Sequence, residues 1–192
     1  MTYLSARLLV GLSLYAVLVG QSLGQTVAAG QEIEVNAKKV SDMVVIDVSF
    51  MVQATPKEAW DVLTDYERMP QFLPNLQSSK IIARTPTQLK VAQKGGVSHG
   101  PISLTFEVVR EVDLKPFTEI LSRVVSGTLK KVDSTTRLAV TGEGTRVTVH
   151  SESIPNVWVP PGIGPAIIEG ETRDQFNAMR DEILKRKEAA RK

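Results

Sequence analysis

The stretch "TPKEAWDVLTDYERMPQFLP", from Thr55 to Pro74, starts a helix and then interrupts it with two prolines. Thr55 and Glu58 match a capping box, in which the threonine hydroxyl and the glutamate carboxylate satisfy free backbone amides at a helix start. Pro56 suits the first helical position, because its missing amide hydrogen is not needed there. A well-defined helix is therefore predicted to begin at this point.

The same segment also predicts an early end to the helix. Pro70 clashes with the preceding turn, so the first helix should end near Tyr66 to Arg68, and a second short helix should run from Pro70 to Pro74. This bent helical pair presents an apolar inner edge, formed by Tyr66, Met69, Phe72 and Leu73. A continuous helix does not curve in this way, and we expect the segment to form part of the wall of a cavity.

Seven segments have the pattern or composition of β-strands. The clearest is "MVVIDVSFMV" (Met43–Val52), in which apolar residues occupy every second position. Short connections between the segments predict an antiparallel sheet, with Gly95-Gly96 ending the third strand. The other six segments are Lys80–Arg84, Leu89–Lys94, Ile102–Val109, Phe117–Val125, Leu129–Val140 and Arg146–Ile154.

A long amphipathic helix is predicted at the C-terminal end. Pro165 fits its first turn, and a stripe then repeats at helical spacing. Such a stripe must be buried against the sheet for the helix to be stable. Its members are Ile168, Thr172, Phe176, Met179 and Ile183.

Residues 1–24 are typical of a cleaved export signal. Arg7 precedes the apolar run Leu8–Val19, which is too short to cross a hydrocarbon core of about 30 Å, and the small residues Ser22 and Gly24 follow. The alternatives are an uncleaved interfacial anchor and a later cleavage, after residue 29 or 30. We expect an exported, periplasmic protein with a linker over residues 25–39 and one domain over residues 40–192.

The composition argues against several classes of protein. The formal charge of the 192-residue chain is only +2, which does not indicate nucleic-acid binding. Cysteine is absent, and His99 and His150 have no acid at ligand spacing, so neither a metal site nor a cofactor is expected. The C-terminal "KRKEAARK" is either a contact for anionic lipid or a solvated helix end. The sequence does not indicate an oligomeric state.

The order of these elements resembles the helix-grip fold of the START-like (SRPBCC) superfamily. The segments "TPKEAWDVLTDYERMPQFLPNLQSSKI" and "PPGIGPAIIEGETRDQF" are similar to its polyketide cyclase/dehydrase and coenzyme-Q-binding branch, over about Met43–Lys185. The resemblance implies an α+β fold, with a curved seven-stranded antiparallel sheet around the long helix and two short helices after the first strand. It also implies an apolar cavity for lipids, quinones, steroids or polyketides, but it carries over no catalytic residue.

The physics of the fold points to the same cavity. A sheet that curls around one helix leaves space where their side chains do not meet, and an apolar space of this kind is a default ligand site. For each apolar residue the alternative is plain core packing, because apolar stripes usually pack. The predicted lining residues are Tyr66, Met69, Phe72, Leu104, Phe106, Arg123, Thr172, Phe176 and Met179.

Arg123 is the predicted polar anchor of the cavity. If "DLKP" (Asp113–Pro116) forms the hairpin turn, Arg110 lies opposite Glu119 as a surface ion pair, and Arg123 lies opposite Phe106 on the apolar face. An unpaired buried guanidinium favours an anionic or carbonyl-bearing ligand group as its partner. The alternative is a one-residue slip that places Arg123 in solvent.

Two functions compete on this sequence. The first is a non-catalytic carrier or sensor of a hydrophobic small molecule, and the second is a cyclase or dehydratase that acts on a polyketide-like substrate. A cyclase needs acid and base groups inside the pocket, where only Arg123, Tyr66 and Thr172 offer polar atoms, so binding is favoured. A relative of this branch that acts on ribosomes suggests a third role, against which the export signal and the near-neutral charge both argue.

Overall fold

The structure, a computed structural model, describes residues 32–99, 102–155 and 165–192, with residues 97–99, 102–104 and 155 described by their backbone alone. Within these residues, eight strands form one antiparallel sheet in the order β1-β2-β8-β7-β6-β5-β4-β3. The strands are β1 (Glu34–Val40), β2 (Met43–Val52), β3 (Leu76–Arg84), β4 (Gln88–His99), β5 (Ile102–Lys115), β6 (Glu119–Gly127), β7 (Leu129–Thr141) and β8 (Gly144–Pro155).

Three helical segments accompany the sheet in the described part of the chain: α1 (Pro56–Leu63), the 3-10 helix Met69–Gln71, and the long α2 (Pro165–Ala189). None of these helices is long and apolar enough to cross a membrane. The predicted α+β architecture, a sheet with two short helices and a long C-terminal helix, is confirmed. The predicted export signal lies outside the described residues and stays a prediction.

The sheet has eight strands rather than the predicted seven, because residues predicted as a linker form β1. This strand pairs with β2 along its whole length. Its free edge is covered by α2: the Ala37 backbone nitrogen donates to Glu169 Oε1 at 2.9 Å, and Arg173 Nε donates to the Ile33 carbonyl at 3.4 Å. The sheet therefore begins before residue 40, and part of what stabilises β1 comes from the other end of the chain.

The predicted capping box is confirmed, but the first helix is shorter than predicted. The Glu58 backbone nitrogen donates to the Thr55 hydroxyl at 3.2 Å, and the Thr55 backbone nitrogen donates to the Glu58 carboxylate at 2.7 Å. The helix ends at Leu63, where the Thr64 hydroxyl bonds the Trp60 carbonyl at 2.8 Å. The chain then bends through Tyr66 into the 3-10 helix, as the two prolines predict.

Strand β4 continues through Gly95-Gly96, so the predicted strand end at these glycines was wrong. Asn75, the residue before β3, lies beside β4 here, and its carbonyl accepts a hydrogen bond from the Gly96 nitrogen at 3.0 Å. A Cβ on residue 95 would lie 2.2 Å from the same carbonyl oxygen and 2.6 Å from the Phe106 ring. The glycine therefore permits a close backbone approach instead of a turn.

The register of the β5–β6 hairpin also differs from the predicted one. Its turn is centred on Phe117, which has a φ of 63°, and Lys115 pairs with Glu119. Arg123 consequently lies opposite Glu111 on the solvent face and donates to its carboxylate at 2.8 Å. The prediction that Arg123 faces the interior was wrong, and the alternative of a solvent-facing Arg123 is what the structure shows.

The predicted surface pair between Arg110 and Glu119 was wrong for the same reason. Glu119 instead bonds Lys115 at 2.6 Å and Arg137 at 2.9 Å. Arg110 lies opposite Val124 and points to the inner face of the sheet.

The outer face of the sheet carries opposite charges on neighbouring strands. Glu111 contacts both Lys90, at 3.4 Å, and Arg123. Further across the sheet, His150 Nδ1 lies 2.7 Å from Asp47 Oδ1. These pairs are exposed, so each contributes little to stability, but together they keep this face hydrated.

The substitution Gly95→Ala should lower the free energy of unfolding by about 1–3 kcal/mol, because the new methyl group meets the backbone of Asn75. Urea denaturation measures the change. Gly142→Ala is the matched control, since no atom lies within 4 Å of a Cβ built there. Equal stability of the two variants would contradict the close approach.

The pKa of His150 is raised above its ordinary value of 6.5, first by the hydrogen bond to Asp47. Protonated His150 therefore stabilises the fold fully below pH 6.5, and the contribution disappears as pH rises through the folded-state pKa. Asp47→Asn should move the midpoint of the His150 titration, followed by NMR, back toward lower pH. A midpoint that does not move would show that Asp47 is not the cause.

Candidate ligand-binding site

The inner face of the sheet is packed at one end and half-open further along. At the α1 end, Phe50, Leu138 and Val147 are buried in one core cluster with residues of α1. Farther along the same strands, the inner-face residues Ile46 and Val149 are half-buried and pack against the edge of this cluster. The inner face is therefore only partly covered beyond the packed floor, and this partly covered region is called the hollow below.

Helix α2 covers one side of this hollow. It contacts β1, β2 and α1, and its C-terminal half buries Met179 and Ile183. Toward its N-terminus, Thr172 and Phe176 are half-buried, and the Phe176 ring lies 5.8 Å from the Phe50 ring. Hydrogen bonds hold this half of the helix in place: Asn75 Nδ2 donates to Glu171 at 2.7 Å, the Ala37 amide of β1 donates to Glu169, and Arg173 donates to the Ile33 carbonyl just before β1. The hollow lies between this half of α2 and the middle strands.

A guanidinium without a partner lies in the wall of the hollow. Arg110 is on the inner face of β5, where the pairing with β6 is irregular and leaves Val125 as an extra residue. The Nε atom of Arg110 is fully buried and has no hydrogen-bond partner, and no described carboxylate pairs with this residue. The side chain as a whole is only half-buried, so its remaining surface borders open space. A buried charge of this kind is costly unless something pairs with it.

Tyr66, in the bend after α1, interacts electrostatically with Arg110. Burial raises the pKa of Tyr66 to about 12, and the positive charge of Arg110 partly opposes that rise. Burial also lowers the pKa of Arg110. Near neutral pH the pair is therefore a neutral phenol, which can donate or accept a hydrogen bond, beside a guanidinium, which can only donate.

Three serines continue this polar zone across the sheet. Ser122 on β6 lies opposite Ser134 on β7, which lies opposite Ser151 on β8. All three are half-buried, and none of their hydroxyls has a hydrogen-bond partner among the described residues. Ser122 is a diagonal neighbour of Arg110, since it pairs with Val112 two residues further along β5. The hollow thus has a polar band within a largely apolar wall.

The structure brings several of the predicted lining residues to this hollow. Phe106 is on the inner face of β5, half-buried and close to Gly95. Tyr66, Met69 and Met179 belong to the buried core, which is the packing role named as their alternative. Phe106, Thr172 and Phe176 are half-buried beside the hollow, and Phe176 also packs against the core.

The other three predicted residues do not line the described hollow. Phe72 is half-buried beneath Arg186, whose guanidinium carbon is 5.6 Å from the ring centroid. The side chain of Leu104 lies outside the described residues. Arg123 is on the solvent face, with 59% of its side chain exposed.

Sequence reasoning missed Arg110 and the serine band. Arg110 had a usable signal, because it continues the every-second-residue pattern of Phe106 and Val108 along β5. The serines had none, since a hydroxyl is compatible with either face of a strand and its direction depends on register.

Grooves are also found on the surface around α1. Two grooves of about 420 and 570 Å³ flank α1, but charged and polar residues supply much of their lining, and Arg110 is in neither. No cluster of histidine and acidic side chains that could hold a metal ion occurs among the residues described.

Residues 52–180 match the family model for polyketide cyclase/dehydrase and lipid transport proteins. The chain belongs to this family. The predicted membership of the START-like superfamily is confirmed, whereas the coenzyme-Q-binding branch stays a prediction. No curated protein sequence matches the chain.

Solved structures of START-like proteins share the fold of this family member. A STAR-related lipid transfer protein from Xanthomonas axonopodis aligns with a TM-score of 0.65 at 14% identity, over 81% of this chain and 99% of its own. The Zhui aromatase/cyclase from a Streptomyces species aligns with a TM-score of 0.62 at 17% identity, over 77% and 98%. A START superfamily protein from Mycobacterium smegmatis aligns with a TM-score of 0.60 at 16% identity, over 74% and 97%. At these identities the likeness shows the fold alone.

Replacing Arg110 by methionine should raise the free energy of unfolding of the ligand-free protein by about 1–4 kcal/mol, because it removes a buried charge without a partner. Urea denaturation of delipidated protein measures the change. Arg123→Met is the control: it removes an exposed ion pair and should lower stability only slightly. A less stable Arg110→Met variant would mean that the protein itself satisfies this guanidinium.

Proposed function

We propose that this family member is an exported, periplasmic carrier or sensor that holds a hydrophobic small molecule in the hollow. The observation that carries the proposal is the half-buried inner face above the packed floor, where Arg110 Nε is buried without a partner and three half-buried serines lie on the neighbouring strands. Lipids, quinones and polyketide-like compounds all combine an apolar body with a few polar groups, as such a wall requires. The family's description as lipid transport and cyclase proteins supports the same class of ligand.

Export is part of the proposal and rests on the sequence. The apolar run Leu8–Val19 follows Arg7 and precedes small residues, which is the pattern of a cleaved signal. Recovery of the protein in the periplasmic fraction, with an N-terminus near residue 25, tests this part separately.

A cyclase or dehydratase is the weaker alternative. General acid–base catalysis works best when a group inside the pocket has a pKa near the operating pH. The pKa of Tyr66 is about 12, and Arg110 remains protonated near neutral pH. The described inner faces of strands β5 to β8 carry no carboxylate or histidine, and the nearby α2 carboxylates, Glu169 and Glu171, already accept hydrogen bonds from Ala37 and Asn75.

Extraction of the purified protein tests binding directly. The full chain is expressed and purified without detergent, extracted with organic solvent, and the extract is identified by mass spectrometry. Ser134→Phe should fill the middle of the hollow and abolish recovery of the compound. Asp133→Phe, the next residue along β7 but on the solvent face, is the matched control and should retain it.

A lipophilic compound at about one molecule per protein chain, lost in Ser134→Phe alone, is the expected result. The proposal fails if the wild-type protein yields no compound and takes up no lipophilic fluorescent probe. It fails equally if Ser134→Phe binds as the wild type does.

A further inference from the structure

The structure points to a more specific ligand for this hollow. We infer that the bound molecule is an amphiphilic monocarboxylate, whose carboxylate pairs with Arg110 on the β5 wall and whose apolar body extends toward the N-terminal half of α2. This inference rests on the proposed function and deepens it, since it assigns the chemical class and the orientation of the ligand.

The first argument is the unsatisfied guanidinium. Arg110 offers five N–H donors in a planar fork, and the structure gives none of them a hydrogen-bond partner among the described residues. The buried Nε cannot be served by bulk water, whereas the remaining surface of the side chain borders the hollow. A carboxylate is the acceptor whose two oxygens match this fork in a bidentate pair.

The second argument is the charge of the site. Among the described inner-face side chains of β2 and of β4 to β8, Arg110 is the one that carries a formal charge. On the adjoining half of α2, Glu169 and Glu171 already accept hydrogen bonds from Ala37 and Asn75. A single carboxylate neutralises it, whereas a phosphate monoester carries about −1.5 to −2 at neutral pH and would leave excess negative charge buried. A neutral ligand would leave the guanidinium without a counter-ion.

The third argument is the arrangement of neutral donors. Tyr66 interacts electrostatically with Arg110 and its hydroxyl remains protonated, and Ser122 is on the adjacent strand at a diagonal position. An ionised carboxylate has about four lone-pair sites, so it can accept from the guanidinium and from these hydroxyls at once. The apolar surfaces of Phe106 and Phe176 are then left for the rest of the ligand.

The test compares two compounds that differ only in the head group. Binding of hexadecanoic acid and of hexadecan-1-ol to the delipidated full chain is measured by displacement of a lipophilic fluorescent probe. The wild-type protein should prefer the acid. Arg110→Met should weaken binding of the acid by about tenfold to a hundredfold, because the acid loses a charged hydrogen-bond partner. The affinity for the alcohol should stay within about threefold of the wild-type value.

Two further variants distinguish a specific loss of acid binding from a general loss of folded structure. Tyr66→Phe removes one hydroxyl. It should weaken binding of the acid severalfold and leave binding of the alcohol unchanged. Arg123→Met removes an arginine from the solvent face of the adjacent strand and should change neither affinity. In ¹⁵N-resolved NMR spectra, the Nε–H signal that disappears in Arg110→Met should shift on addition of the acid and not on addition of the alcohol.

The outcomes separate this inference from the proposed function. If Arg110→Met weakens binding of both compounds equally, or of neither, the carboxylate does not pair with Arg110. The inference then fails, while the hollow remains a binding site. If hexadecyl phosphate binds more tightly than the acid, the assignment of a monocarboxylate is wrong. If neither compound displaces the probe from the wild-type protein, both the inference and the proposed function are contradicted.

Discussion

The width of the sheet relative to its helices determines the interior of this protein. Strands lie about 4.8 Å apart, so the eight described strands span roughly 34 Å, whereas a helix with its side chains covers about 10–12 Å. One long helix cannot fill the inner face of such a sheet, even when the sheet curves. Because α1 closes one end and α2 lies toward β1 and β2, the inner face of the middle strands is buried near α1 and only partly covered farther from it.

Polar groups placed in that space affect folding and binding in opposite directions. A guanidinium without a partner destabilises the ligand-free protein. Burial favours its neutral form, and few groups within the fold can replace the hydrogen bonds that it made to water. The same group increases affinity for any ligand that supplies the missing acceptor.

Sequence reasoning succeeded where local chemistry decides the structure. The capping box at Thr55 and the alternation of β2 depend on residues close in the chain, and both are found as predicted. The β5–β6 register was wrong because its turn uses Phe117 in a left-handed conformation, which ordinarily favours glycine or asparagine. The strand β1 was missed because its polar sequence shows little alternation, while its pairing with β2 and its hydrogen bond to α2 join residues distant in the chain.

The bond between Glu169 and the edge of β1 has a consequence for the behaviour of the protein at high concentration. An uncovered edge strand offers a row of backbone donors and acceptors to any other extended chain, and this is a common route to aggregation. Here a helix carboxylate occupies the Ala37 amide and a helix arginine occupies the Ile33 carbonyl. A foreign strand would have to displace both before it could add to the sheet, so the helix that bounds the hollow also protects the molecule from self-association along this edge.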